Sequence, residues 1–365
     1  MKDPRDEQYA RLLIETCIDV QPGWQVLVSS GVLGRPLFDE VCGVVAERDA
    51  YVLPRVVFHS GLGGPPLMWV NEASEELLSK PAPIEEHVLL NVDALVAIVA
   101  PENTRDAIDV EPRRMQLLQM GSRKIQERLI SGDVPWVGCQ YPTPALAQEA
   151  GMSLEGFAEF LYGSVLLDWD AERQRMQKIK ELFDNAEEVR IVGEQTDLRI
   201  GLAGREGKID AAGANIPGGE VFYSPVEDTA EGEIVFSEFP AVYAGRELTG
   251  IHFRFEQGRV VDAGAGSNEE FLLEVLDTDE GARRLGELGI GCNPGITRYM
   301  KNTLFDEKIN GTVHVALGRG FPDLDGTNES AIHWDIVKDV RQGGRIELDG
   351  TVVQENGRWR HELAP

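Results

Sequence analysis

Two short segments in the last sixty residues combine histidine and carboxylate at a spacing that suits a metal site. His314 lies in residues 311–318 (GTVHVALG), and His333 and Asp335 lie in residues 330–335 (SAIHWD), in a chain with six histidines in all. Both segments have the composition of β-strands, in which residues two apart point to the same face. His333 and Asp335 therefore project together, and imidazole and carboxylate are ligands of zinc, manganese, cobalt and iron.

Two glutamates upstream favour a metal site over the alternative of an ordinary hydrogen-bonded or surface His-x-Asp pair. Glu220 lies in residues 215–222 (NIPGGEVF) and Glu287 in residues 285–291 (LGELGIG), each a single carboxylate among glycines and apolar residues. Glycine permits close approach of backbone or ligand, and an isolated acid in apolar surroundings needs a partner or a cation. The five side chains suffice for a two-metal cluster, or for one metal with supporting residues.

At these residues the sequence resembles the M29 metallo-aminopeptidases, the aminopeptidase T and aminopeptidase S group. Five motifs in the family's order carry the resemblance: PGGEVFYSP (217–225), GE (286–287), NTLFDEK (302–308), GTVHVALG (311–318) and NESAIHWD (328–335). The resemblance implies two divalent ions, such as zinc, cobalt or manganese, held by Glu220, Glu287, His314, His333 and Asp335. It also implies a Rossmann-like N-terminal half and a homodimer that removes N-terminal residues from peptides.

Two positions depart from the family pattern, and both concern proton handling. Members of the aminopeptidase S type carry a catalytic tyrosine seven positions after the first histidine, where this chain has Phe321. Members often carry a second acid immediately before the Glu220 position, a candidate general base, where this chain has Gly219. The general base and the oxyanion donor therefore stay open. Four side chains are candidate donors by sequence nearness: Tyr223, Tyr299, Lys308 and Arg319.

Three functions are compatible with this residue set. In a metallo-aminopeptidase, Glu287 would bridge two metals and Glu220 would bind one of them, or the reverse, and a shared water would be activated. In a mononuclear Fe(II) ring-cleaving dioxygenase of the dihydroxypyridine type, two histidines and one carboxylate would hold the iron. In a metal-stabilised binding protein, catalysis would be lost. Five candidate ligands rather than three favour the two-metal hydrolase.

The N-terminal half alternates helices and strands. Apolar periodicity predicts strands at 24–30, 51–58, 94–100 and 135–140 and helices at 7–20, 37–48 and 112–130. The run 94–100 (ALVAIVA) is typical of a strand inside a parallel sheet that is covered on both faces. We therefore predict an α/β domain with a Rossmann-like doubly wound parallel sheet over residues 1–167, without the GxGxxG or P-loop motif of nucleotide binding.

The C-terminal half is predicted to be a strand-rich α+β metal-binding domain over residues 168–365, which opens with a linking helix at 168–187. Alternating apolar residues and Gly-rich turns predict hairpins at 189–204 and 248–261, a strand at 233–243, and short helices at 267–276 and 278–285. All five candidate ligands belong to this half, and they come from four separate segments. Tertiary folding must therefore assemble the site.

Length and charge restrict the partners. The 365 residues suffice for two domains, and a net charge of −27 argues against nucleic acid and anionic membrane as partners. This acidity is that of a salt-adapted protein or simply of a soluble acidic one. The N-terminus lacks an apolar signal segment and no run is long enough to span a membrane, which predicts a cytoplasmic protein. The four cysteines have neither disulfide-scaffold nor zinc-motif spacing.

Overall fold

A computed structural model describes residues 3–58, 64–130 and 132–360, so the outermost residues of the two predicted domains, 1–2 and 361–365, lie outside the described residues. The chain forms two compact units. The N-terminal unit comprises Met1–Leu166 and Ala212–Pro217, and the C-terminal unit comprises Leu167–Ala211 and Gly218–Pro365.

The described residues contain α1 (Arg5–Arg11), α2 (Arg35–Glu47), α3 (Leu67–Glu72), α4 (Glu75–Leu78), α5 (Pro83–Asn91), α6 (Pro112–Ile130), α7 (Pro144–Glu149), α8 (Leu154–Val165), α9 (Trp169–Asp184), α10 (Glu269–Leu276) and α11 (Thr303–Asp306). A π-helical segment, Leu12–Cys17, continues α1. Among these residues, none of the helices has both the length and the apolar character needed to cross a bilayer.

The strands of the same described residues are β1 (Gln25–Gly31), β2 (Tyr51–Val57), β3 (Ala94–Val99), β4 (Trp136–Gln140), β5 (Glu188–Gly193), β6 (Thr196–Gly201), β7 (Lys208–Asp210), β8 (Asn215–Ile216), β9 (Glu220–Tyr223), β10 (Glu231–Phe236), β11 (Ala241–Tyr243), β12 (Arg246–Leu248), β13 (Ile251–Glu256), β14 (Arg259–Gly264), β15 (Leu285–Gly291), β16 (Val313–Gly318), β17 (His333–Lys338), β18 (Arg345–Leu348), β19 (Thr351–Glu355) and β20 (Arg358–Trp359).

The N-terminal unit is built on a parallel sheet with the order β2-β1-β3-β4-β8. The reversal of order between β1 and β3 is that of a doubly wound sheet. Consecutive buried residues in β1, from Val26 to Ser30, fit a strand that is covered on both faces. Helix α2 turns Leu37, Val41, Val44 and Val45 inward at helical spacing. The predicted α/β fold class is confirmed.

The C-terminal unit is built from antiparallel strands, as predicted. One sheet has the order β14-β13-β10-β6-β5-β18-β19-β20, and a second, called the site sheet below, has the order β17-β16-β15-β9-β7. The predicted hairpins are β5–β6 and β13–β14. In the second hairpin Gln257 and Gly258 both have positive φ, 49° and 74°, as a two-residue type I′ turn requires.

Two predicted elements of this unit are wrong. The strand at 233–243 is interrupted between Phe236 and Ala241, where Pro240 lacks the N–H that a strand would donate. The helix at 278–285 is reduced to a 3₁₀ turn, Gly281–Arg283, because Leu285 already begins β15. Gly281 also lies so close to the Glu329 backbone that a side chain would not fit there.

Candidate metal centre

The site sheet brings the five predicted ligands to one of its faces. Directly opposed residues of antiparallel strands share a face. The register pairs, with the candidate ligand first, are Glu220–Gly291, His314–Gly289, Glu287–Ala316, Asp335–Ala316 and His333–Gly318. Every ligand candidate is thus opposed by glycine or alanine, which leaves room above the sheet.

The opposite face of the site sheet packs into the core, which fixes the register. Its side chains are at most 2 % exposed and include Val221, Tyr223, Leu288, Ile290, Val313, Val315, Leu317, Trp334 and Ile336. A slip of one residue would exchange the two faces and bury the charged groups among these side chains. The apolar alternation that predicted strands therefore also determines where the ligands point.

A β-bulge at Gly286 places Leu285 and Glu287 on opposite faces of the site sheet. Leu285 pairs with Leu317 on the apolar face, whereas Glu287 pairs with Ala316 on the ligand face, although residues two apart normally share a side. A side chain on Gly286 would strike the backbone carbonyls of Gly318 and Arg319. Glycine at this position therefore permits the bulge.

The ligand candidates form two groups that share Glu287. The first group is Glu220, Glu287 and His314, and the second group is Glu287, His333 and Asp335; within each, the ligand atoms lie within 4.8 Å of one another. Glu287 Oε1 is 3.4 Å from His314 Nε2, and Glu287 Oε2 is 3.1 Å from His333 Nε2. Each oxygen of this carboxylate thus faces a different group, which is the arrangement of a bridging ligand.

Both histidines are oriented by backbone carbonyls. His314 Nδ1 lies 3.0 Å from Glu307 O, and His333 Nδ1 lies 2.8 Å from Arg319 O. A carbonyl oxygen only accepts, so Nδ1 carries the hydrogen, and Nε2 of a neutral ring presents a lone pair to the carboxylates. Lone pairs that converge on carboxylate oxygens require a proton or a cation between them. Metal-bound histidines are held in this way.

Two buried carboxylate oxygens also point to a cation. Glu220 Oε2 and Asp335 Oδ1 have no hydrogen-bond partner among the described residues, and each faces a histidine Nε2, at 3.5 Å and 3.6 Å respectively. An unsatisfied buried acceptor is costly, and more so when it is charged. One imidazole nitrogen with carboxylate oxygens in each group is a donor set that suits zinc, cobalt or manganese. The residues therefore fit two divalent ions.

Protons compete with metal ions for the same atoms. Burial lowers the pKa of both histidines, but Glu287 and the other acids outweigh it and raise the pKa of His314 to about 9 and that of His333 to about 10. Burial raises the pKa of Glu220 to about 8 and that of Asp335 to about 6. For Glu287 the effect of burial is outweighed by hydrogen bonds from the two histidines, which lower its pKa to about 2.

The two departures from the family pattern lie beside this cluster. The ring of Phe321 lies 5.2 Å from that of His333 and 5.5 Å from that of Phe222, and its N–H donates to Ser224 Oγ at 2.8 Å. Gly219 has φ +116°, and a Cβ there would lie 2.6 Å from Asn293 Cβ. The backbone at residue 219 therefore leaves no space for the second acid.

The structure distinguishes among the four candidate donors. The Tyr223 hydroxyl donates to Asp184 at 2.9 Å on the core side, and the Tyr299 hydroxyl bonds Pro240 O. Arg319 is exposed, and Lys308 is fully buried beside Glu220. Sequence reasoning missed Glu307, whose side chain pairs with Lys308. The signal that could have found it was the adjacent acid and lysine, Glu307-Lys308, at the end of the motif NTLFDEK.

The fold and this donor set fit a metal-dependent hydrolase, and sequence comparison places the chain more narrowly. The family model described as thermophilic metalloprotease (M29) matches residues 2–359. The chain belongs to this family, which confirms the resemblance seen in the sequence motifs and with it a requirement for divalent metal ions.

Individual relatives agree with the family. Aminopeptidase 2 from Geobacillus stearothermophilus is 25 % identical over 98 % of each chain. Aminopeptidase T from Thermus aquaticus is 37 % identical over 46 % of this chain and 47 % of its own length.

Solved structures share the fold. Wild-type AmpT from Thermus thermophilus superposes with a TM-score of 0.84 at 24 % identity, over 98 % of this chain and 99 % of the other. The 2,5-dihydroxypyridine dioxygenase from Pseudomonas putida KT2440 has a TM-score of 0.58 at 14 % identity, over 98 % and 97 %. At these identities the likeness concerns the fold alone.

Proposed function

We propose that this protein is a metal-dependent aminopeptidase that uses two divalent ions to remove N-terminal residues from peptides. The observation that carries the proposal is the position of Glu287, whose two oxygens face His314 and His333 respectively. Membership of a metalloprotease family and the aminopeptidases among the relatives support the same conclusion. The two-metal arrangement uses all five predicted ligands, whereas a mononuclear iron site would leave two of them without a role.

Each group would hold one ion. Glu220 and His314 would bind the first, His333 and Asp335 the second, and Glu287 both. With both ions bound, the pKa of a shared water would be lowered toward neutrality and the scissile carbonyl would be polarised. The chain supplies orientation, because carbonyl oxygens fix both imidazole rings. The Phe321 ring packs beside the His333 ring, with the two ring centroids 5.2 Å apart.

Proton handling is where we expect this chain to be weak. Phe321 has no hydroxyl to donate to a developing oxyanion, and Gly219 has no carboxylate to accept a proton. One oxyanion donor contributes about 10²–10³ to kcat in enzymes where it has been removed. We therefore expect peptide hydrolysis that depends on metal but is slow.

The test begins with metal analysis of protein purified without chelator. It continues with assays on leucine and arginine p-nitroanilides after addition of cobalt or zinc. We expect close to two equivalents per chain and release of p-nitroaniline that stops with chelator. An N-acetylated substrate should not react, because an aminopeptidase requires a free amine. One equivalent of iron with oxygen-dependent consumption of a hydroxylated pyridine would overturn the proposal. Metal-loaded but inert protein would indicate a binding function.

A pair of histidine variants ties the metal to the predicted ligands. His333→Ala should lose metal with little change in the thermal unfolding of the rest of the chain. His252→Ala is the matched control, since its ring is 47 % exposed and lies in β13, on a different sheet of the same unit. Unchanged metal content in His333→Ala would show that the ligand set is wrong.

We also propose that the protein acts on peptides as a cytoplasmic homodimer. The dimer rests on the family resemblance. Sedimentation equilibrium should give twice the chain mass.

A further inference from the structure

We propose that Lys308 is a positioning residue that holds Glu220 in the geometry required by the first metal ion. The inference rests on the proposed function and deepens it, since it assigns the support of one of the two ions to a side chain outside the ligand set.

The two carboxylate oxygens of Glu220 have different neighbours. Lys308 Nζ lies 3.2 Å from Glu220 Oε1. The other oxygen, Oε2, has no hydrogen-bond partner among the described residues and faces His314 Nε2 at 3.5 Å. The ammonium therefore fixes one oxygen of the carboxylate and leaves the second oxygen directed at the first group.

Glu307, the residue before Lys308, orients His314, which is the other candidate ligand found only in the first group. Glu307 O accepts the Nδ1–H of His314 at 3.0 Å. One dipeptide, Glu307-Lys308, thus contacts both Glu220 and His314. The ligands found only in the second group are supported differently, since His333 Nδ1 bonds Arg319 O. Loss of the lysine should therefore affect the two groups unequally.

Backbone hydrogen bonds tie the lysine to the segment that precedes Glu220. The backbone carbonyl oxygen of Lys308 accepts a hydrogen bond from the backbone N–H of Asn293 at 3.0 Å. The side-chain amide of Asn293 donates to Gly218 O at 2.7 Å. Cys292 N–H donates to Gly219 O at 2.8 Å. Asn293 therefore positions both the turn before Glu220 and the lysine that holds its carboxylate, and Cys292 supports the same turn.

Burial determines how Lys308 can act. The side chain is 0 % exposed, so it cannot touch a substrate and must act through Glu220. A buried ammonium is tolerated only when paired, and Lys308 is paired with Glu220 and Glu307. Outer partners of metal ligands of this kind typically change metal affinity by about 10–100-fold.

The experiment is a calorimetric titration of the metal-depleted full-length protein with zinc. Wild-type protein should bind two equivalents. Lys308→Met should bind one equivalent with unchanged affinity and the other about 10–100-fold more weakly. Lys338→Met is the matched control, because Lys338 is 1 % exposed, pairs with Glu238, and belongs to the opposite face of β17. It should bind both equivalents as the wild type does.

The outcomes separate this inference from the proposed function. Fewer than two equivalents in wild-type protein would overturn the proposed function itself. Two equivalents in wild type and two unchanged affinities in Lys308→Met would overturn the role of the lysine alone. Equal weakening of both sites would mean a general structural role and would also overturn it. If Lys308→Met does not fold, Lys308→Arg keeps the charge but moves the donor, and unchanged affinity in that variant would count against the proposal.

Discussion

The substitution Gly289→Ala tests the packing of the candidate metal centre most directly. Gly289 lies opposite His314 in the register of β15 and β16. A Cβ at this position would lie 2.8 Å from His314 Cδ2 and closer still to Cε1 and Nε2. Gly289→Ala therefore cannot be accommodated unless the imidazole moves or the two strands separate.

The size of the effect follows from these distances. An ordinary contact requires at least 3.4 Å, whereas the Cβ would lie 2.8 Å from Cδ2, the most distant of the three clashing ring atoms. The His314 ring must therefore move away by more than about 0.6 Å. Metal–ligand distances tolerate changes of only about 0.2 Å. We expect the affinity for the first ion to fall at least roughly 100-fold, which is about 2.7 kcal/mol. Overpacking of this kind should cost the fold about 1–3 kcal/mol.

The assay is zinc titration of the metal-depleted variant, with urea unfolding as the measure of stability. Gly193→Ala is the control, because Gly193 ends a strand of the same unit and the nearest atom to a Cβ there would be Lys338 Cε, at 3.3 Å. The control should bind two equivalents. Wild-type affinity for both ions in Gly289→Ala would refute the argument that glycine makes room for the His314 ring.

Three further predictions concern catalysis, pH and salt. Phe321→Tyr should raise kcat for leucine p-nitroanilide by roughly 10²-fold, if the ring keeps its place beside His333 and its hydroxyl serves as an oxyanion donor. Phe222→Tyr is the control. Equal kcat values in the wild type and both variants would contradict this role. Because the folded pKa values of His314, His333 and Glu220 lie above their unfolded values, their bound protons stabilise the metal-free fold at low pH, and this contribution is lost as pH rises through about 8 to 10. Urea unfolding in the presence of chelator should therefore give a lower free energy of unfolding at pH 9.5 than at pH 7, and this difference should be absent in excess zinc. A higher free energy of unfolding at pH 9.5 in chelator would refute the pKa assignment. If the net charge of −27 reflects salt adaptation, the melting temperature should fall as salt is removed, and a flat response would exclude it.

The general fold was accessible from the sequence because its signals are local. The apolar run of β3 and the 19-residue periodicity of α6 predicted their elements closely. The orientation of the two candidate ligand histidines was accessible for the same reason, since alternation along β16 and β17 placed each on a definite face. What failed was the boundary of irregular segments, where Gly281 and Pro240 interrupt the pattern.

The orientation of Glu287, which the two candidate metal groups share, could not be predicted from hydrophobic periodicity alone. Alternation counted forward from Leu285 would place Glu287 in the apolar core, whereas alternation counted back from Leu288 and Ile290 places it on the ligand face. The bulge at Gly286 resolves this conflict, and a bulge depends on pairing with a strand that lies about thirty residues further along the chain. The role of Lys308 was hidden similarly, because its contact with Glu220 joins residues 88 positions apart.

The two missing proton-handling residues are not equivalent losses. Phe321 retains the ring, its place against His333 and the Ser224 hydrogen bond to its backbone, so a single oxygen atom separates it from tyrosine. Gly219 differs, because its positive φ and the proximity of Asn293 exclude any side chain from the present backbone. Asn293 is in turn bonded to Gly218 O and to Lys308 O, so making room for an acid would disturb the support of Glu220. One substitution can therefore restore the hydroxyl, whereas restoring the acid would require rebuilding the turn that precedes Glu220, a candidate metal ligand.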